Sequence, residues 1–143
     1  MYCERLGEDL GLYETPHQRL GRLDMEMWRA CRLVVDTGLH ARGWSRDQAV
    51  RYMAERLSLS RETIEGEVDR YAALPAQALG YQIGGLKFGE LRQRAEAQLG
   101  ARFKHRDFHA AVMSAGAVTL PVLDDLVSDW LQRQQTPTVP HAA

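Results

Sequence analysis

The segment MEMWRACRLVVDTGLHARGW, residues 25–44, has the period of a helix. At about 100° per residue, Leu20, Leu23, Met27, Cys31, Val34 and Gly38 fall on one face. Arg29, Arg32, Asp36 and His40 form a narrow stripe on the opposite face. Asp36 lies one turn before His40, a spacing that lets a carboxylate orient an imidazole. Such a stripe is either a solvated helix face or one wall of a catalytic cleft.

Outward from this helix, caps and glycines punctuate the chain. A first helix covers about residues 1–12 and ends in the turn Glu14-Thr15-Pro16. Thr15 followed by Pro16 is a helix start, so the long helix runs from there to about Ala41 and stops at Gly43. Ser45 to Gln48 reads as a capping box for a helix near 46–57, and Ser60 opens another near 61–73. Pro75 is expected to open a helix that reaches Leu99 and closes at Gly100. Lys104–Ala115 and Pro121–Arg133 complete the set, and residues 134–143 read as a disordered tail. Nothing alternates with period two over a useful length, so the expected class is all-α, one domain over 1–133.

A chain of 143 residues can build a real core, and 45% apolar with 26% charged residues is ordinary for a globular protein. With a net charge of −1 and mixed signs throughout, the chain lacks the basic patch that nucleic acid demands. Trp44–Tyr71 has the outline of a helix-turn-helix. Its second helix carries Glu62, Glu65, Glu67 and Asp69, which phosphates repel. No run approaches the roughly 18–20 apolar residues of a membrane span, and no signal peptide is visible. Cys3 and Cys31 have neither metal nor disulfide spacing and suit a reducing compartment. The expected location of the chain as given is therefore the cytoplasm. Met1–Leu6 already looks like the middle of an amphipathic helix, which suggests the C-terminal piece of something longer.

Gly80, Gly84, Gly85 and Gly89 interrupt one helical stretch, each at about 1 kcal/mol relative to Ala. Such a helix is expected to pack closely against another backbone or a ligand. Tyr81 lies in this stretch, one turn after Gln77, and is either half buried in that packing or a phenol aimed into a cleft. His105 and His109 are one turn apart, but no third ligand stands at motif spacing, so they read as surface or capping residues. HExxH, GxSxG, a phosphate-binding glycine loop and CxxC are all absent.

Four segments carry a family resemblance: YCERLGEDLGLY (2–13), RLGRLDMEMWRACRLVVDTGLHARGWSRDQAV (19–50), EVDRYAALPAQALGYQIGGLK (67–87) and FHAAVMSAGAVTLPVL (108–123). Together they resemble the end of the bacterial domain of unknown function 885 family, over roughly residues 1–133. The VDTGLH-x-x-GW and Pro-x-Gln-Ala-x-x-Tyr-x-Ile-Gly patterns are the specific ones. Members of that family look like helical zincin metallopeptidases, with an HExxxHH-type motif upstream of the matching region. The resemblance implies the C-terminal half of such a fold and peptide hydrolysis by the full-length protein. Zinc would be its cofactor and a peptide its substrate, with no metal held by this chain alone. It further implies His40 and Tyr81 as donors to the oxyanion, Asp36 orienting His40, and Arg29 holding Asp36 or a substrate carboxylate.

Two departures from the family pattern stand out: Ala76 where Gly is usual, and Gln82 where Lys is common. The rival expectation is a non-catalytic helical interaction module. Its partner would be the missing N-terminal region or a second copy. The full-length protein could equally be exported.

Overall fold

The computed structural model describes residues 2–135, and all its regular structure there is helical. Seven α-helices follow in order: α1 Tyr2–Asp9, α2 Pro16–Ala41, α3 Arg46–Ala54, α4 Arg61–Ala73, α5 Leu79–Leu99, α6 His105–Met113 and α7 Leu120–Gln135. A single 3-10 turn, Gly100–Arg102, follows α5. The caps expected at Thr15 and Ser45 are both complete capping boxes, and Ser60 accepts the Thr63 N–H. Each such cap is worth about 1 kcal/mol because it satisfies N–H groups that have no partner inside the helix.

The chain divides into two compact units, Met1–Gly85 and Leu86–Ala143. In the first, α2, α3 and α4 pack on one another. Their core is Cys31, Val35, Ala49, Val50, Met53, Ile64, Val68, Tyr71 and Ala78, flanked by Trp28, Leu39 and Trp44. Ion pairs tie α1 to the first half of α2: Arg5 with Glu26, Arg22 with Glu8 at 3.1 Å, and Arg29 with Glu4 at 2.8 Å. Helix α1 ends earlier than expected because Gly11 adopts φ +70°, which turns the chain toward α2.

The second unit packs α6 against α7. Its buried residues include Leu91, Ala95, Phe108, Leu123, Val127 and Trp130, with the Phe108 and Trp130 rings 6.2 Å apart. Asp124 takes Lys87 and also Arg94, the latter at 2.7 Å. Gln134 and Gln135, expected in the tail, continue α7. Arg102 donates to the Gln134 carbonyl at 2.8 Å, and Gln135 to Gln98 at 3.1 Å. The rest of the expected tail, 136–143, lies outside the described residues.

Three expectations change. The apolar face of α2 does not run its full length: Cys31 and Gly38 are buried, whereas Leu20, Leu23 and Met27 are 57, 50 and 49% exposed. Helices α3 and α4 cover only the C-terminal half of α2, and there the buried face is Cys31, Arg32, Val35, Asp36 and Gly38. Pro75 does not open α5. Residues 75–78 form a turn, with Ala76 at φ +67°, and the helix starts at Leu79. Finally, Gly80, Gly84 and Gly89 are not pressed against a backbone: an added Cβ would meet nothing within 4 Å.

Candidate active site

The arginine-carboxylate stripe of α2 is neither a solvated face nor an open wall. Arg32 and Asp36 are 7% and 2% exposed and lie beneath the turn and helix start at 75–81. Asp36 Oδ1 accepts the Ala76 N–H at 3.2 Å, while its Oδ2 is buried without a partner. Neither oxygen bonds His40 among the described residues, so Asp36 positions a turn rather than an imidazole. Its bond reaches Ala76, which among the described residues is the one non-glycine with positive φ, and so stabilises a backbone that Ala adopts reluctantly.

His40 is held from elsewhere. Its Nε2 lies 3.0 Å from the Tyr71 carbonyl oxygen. A carbonyl only accepts, so Nε2 carries a proton, and Nδ1 is the ring nitrogen left for another partner. Tyr71 is itself buried, its hydroxyl donating to Glu67 at 2.6 Å and accepting from Trp28 at 3.1 Å. Burial, together with the Glu67 bond, pushes the Tyr71 phenol well above its ordinary range, so it stays a neutral donor. Burial works against ionisation of Glu67 too. The bonds from Arg70 and Tyr71 outweigh it and hold the carboxyl below its ordinary value of 4.5.

Tyr81 is the exposed member, 48% accessible, with its ring centroid 4.5 Å from the Arg32 guanidinium carbon. Its hydroxyl makes no hydrogen bond among the described residues. Arg32 also donates to Gln77 Oε1 at 3.1 Å and lies 5.3 Å from the Tyr71 ring. Arg29 is not part of this cluster. It forks onto Glu4, with contacts of 2.9 and 2.8 Å, and holds neither Asp36 nor an open position.

Of the expected site residues, then, Asp36 and Tyr81 meet at the 75–81 segment, His40 joins through Tyr71, and Arg29 stands apart. Tyr71, Glu67 and Arg70 are the members that sequence reasoning missed. Their i, i+3 and i, i+4 spacing on α4 was visible, but the pairing of α4 with α2 was not.

The VDTGLH-x-x-GW pattern now has a physical content. Gly38 faces the Trp44 ring so closely that a Cβ would lie 2.5 Å from ring carbons. Gly43, at φ +64°, reverses the chain so that the Trp44 N–H reaches the Gly38 carbonyl at 2.9 Å. Helix α2 thus ends with Trp44 folded back on its last turns, which keeps His40 beside α4.

A family model for bacterial proteins of unknown function, DUF885, matches residues 1–127. The chain belongs to the DUF885 family. No curated protein matches it. A crystal structure described as that of "the putative lipoprotein from Colwellia psychrerythraea" is similar, with a TM-score of 0.90 and 45% identity. The similarity covers 92% of this chain and 23% of that one, so the chain spans about a quarter of its neighbour's length. Position 76 has the left-handed backbone that glycine adopts freely and alanine reluctantly. The Gln82 amide oxygen is buried without a hydrogen-bond partner among the described residues.

Among the described residues, no group of three or more His, Cys, Asp or Glu side chains is placed to hold a metal ion. His105 and His109, expected as surface or capping residues, are half buried, with rings 6.2 Å apart and Phe103 edge-on to His105 at 5.0 Å. Burial first, then the His105 and Arg92 charges, lower the His109 pKa from 6.5. No described helix is long and apolar enough to cross a membrane.

Proposed function

We propose that this chain forms part of a peptide-hydrolysing enzyme, in which Tyr81 donates a hydrogen bond to the oxyanion of the tetrahedral intermediate. The observation that carries the reading is the state of Tyr81. Its hydroxyl is unengaged, and its ring is braced on a buried guanidinium that another ring and an amide also fix. A donor held in this way costs little reorganisation when charge develops on the acyl oxygen, which is where electrostatic catalysis gains most. In this reading His40 acts from Nδ1. The neutral ring accepts a proton or a substrate N–H there, and the imidazolium donates. Asp36 keeps the 75–78 turn, and hence Tyr81, in place.

Among the described residues no set of side chains fits a zinc site, so no step is routed through a metal. In the zincin-like reading, zinc belongs to the region of the family that this chain does not span. The lipoprotein description of the Colwellia neighbour supports the exported location over the cytoplasmic one.

The test uses a chain of full family length carrying these residues. Tyr81→Phe is expected to lower turnover about 10²–10³-fold with little change in KM, and His40→Ala to change the pH profile of turnover. If the full-length protein hydrolyses no peptide with any divalent metal, the reading is wrong. Unchanged turnover in Tyr81→Phe removes Tyr81 from it.

A second reading, a helical module that docks another polypeptide, is favoured by one specific observation. The first half of α2 leaves Leu20, Leu23 and Met27 bare on one face. A segment of a family-length chain, or a second copy, would cover them.

A further inference from the structure

We propose that Arg32 and Arg70, meeting at Gln77, form a binding site for a carboxylate, with the Tyr81 ring as its apolar wall. Arg32 carries a charge with no direct counter-ion, although Glu67 acts on it through space. Arg32 is 7% exposed, yet it makes no ion pair among the described residues. Its one hydrogen bond goes to a neutral amide oxygen, Gln77 Oε1, at 3.1 Å, and its Nε is buried without a partner. Buried guanidinium groups are ordinarily paired with an anion, because removing the charge from water is expensive.

Arg70 Nη1 reaches the same Gln77 oxygen, at 3.4 Å. Two cationic N–H groups therefore converge on one uncharged acceptor. A carboxylate oxygen at that point would accept both bonds and bring the compensating charge, which about doubles the strength of each. Arg32 cannot swing away, since it is clamped between the Tyr71 and Tyr81 rings at 5.3 and 4.5 Å. Gln77, in contrast, is an exposed residue of the 75–78 turn, so its amide can yield its place.

The surrounding carboxylates set the charge of the ligand. Glu67 is committed to Arg70 and Tyr71, and Asp36 to the Ala76 N–H. Both repel any added anion, a dianion about twice as strongly as a monoanion, so a planar carboxylate is favoured over dianionic phosphate. The exposed Tyr81 ring adds room for a short apolar group beside it. Peptide C-termini and small organic acids share this chemistry. The inference does not depend on peptide hydrolysis, and its test measures none.

The experiment titrates the 143-residue chain with N-acetylalanine, N-acetylalanine amide and inorganic phosphate by calorimetry and NMR. The free acid is expected to bind saturably, at least tenfold tighter than its amide or phosphate. Adding Ala-Ala-Ala with a free or an amidated C-terminus then separates a peptide end from a small acid as the preferred source. Gln77→Glu places a tethered carboxylate at the convergence point. It should raise the melting temperature by about 2–4 °C at pH 7, lose that gain below pH 4, and weaken N-acetylalanine at least tenfold. Equal responses to acid and amide, tighter binding of phosphate, or a Gln77→Glu variant no more stable than the parent would each overturn the proposal.

Discussion

Single atoms decide several positions in this molecule. Gly38 tolerates no side chain: the Cβ of Ala would meet the Trp44 ring at 2.5 Å, and that ring also packs on Tyr52 with centroids 5.4 Å apart. Gly38→Ala is expected to cost about 1–3 kcal/mol by overpacking, read by urea unfolding, with a shift in Trp44 fluorescence as the ring is displaced. A variant as stable as the parent would show that the ring relocates freely. Glu67 gives a pH-dependent counterpart. Its pKa lies below 4.5 in the folded chain, so its stabilising effect is present above that value and fades as pH falls through the folded pKa. Glu67→Gln should destabilise by about 1–2 kcal/mol at pH 7, given partial screening at the Arg70 end. The two proteins should converge in acid. A difference that persists to the lowest pH at which both fold would mean that Glu67 acts by packing and not by charge.

Helix boundaries show what local sequence settles and what it leaves open. Thr15, Ser45 and Ser60 start their helices where their caps place them, because an N-cap bond closes within three residues. Pro75 follows Leu74, whose side chain offers no capping oxygen, and α5 begins four residues later. A long-range bond adds to this missing cap. The buried Asp36 carboxylate captures the Ala76 N–H and holds residues 75–78 in a turn. Ala76 consequently sits at φ +67°, where a Cβ costs about 1–2 kcal/mol. Ala76→Gly is therefore expected to stabilise the chain by about 0.5–1 kcal/mol, once the greater unfolded-state entropy of glycine is set against that relief. Destabilisation on thermal melting would show that the turn is not strained.

On the scale of the whole molecule, the dominant feature is apolar surface left uncovered on α2, together with glycines in α5 that face open space. Exposed apolar residues that share one helix face favour association. The chain is expected to form species larger than a monomer at high micromolar concentration, seen by light scattering. The triple variant Leu20→Gln, Leu23→Gln, Met27→Gln should shift it toward monomer while changing stability by less than about 1.5 kcal/mol, since surface substitutions away from packed features each have small effects. A clean monomer in the parent chain would overturn the expected association, and a triple variant that still associates would place the contact elsewhere.

Family membership, the all-helical class and the ends of α2, α4 and α5 were legible in the sequence, because helix period, N-caps and glycine stops act over one or two turns. The pairing of Gly38 with Trp44 was present as a motif, though not as a contact. The partners of the α2 stripe were not legible. Arg29, Arg32, Asp36 and His40 share one helix face, yet they end in four different environments: an ion pair with Glu4, a clamp between two tyrosines, a buried bond to the 75–78 turn, and a backbone carbonyl of α4. Helical period places side chains around an axis. Which of them are buried, and against what, depends on where α1, α4 and the 75–81 segment land, and those contacts span 25 to 45 residues of chain.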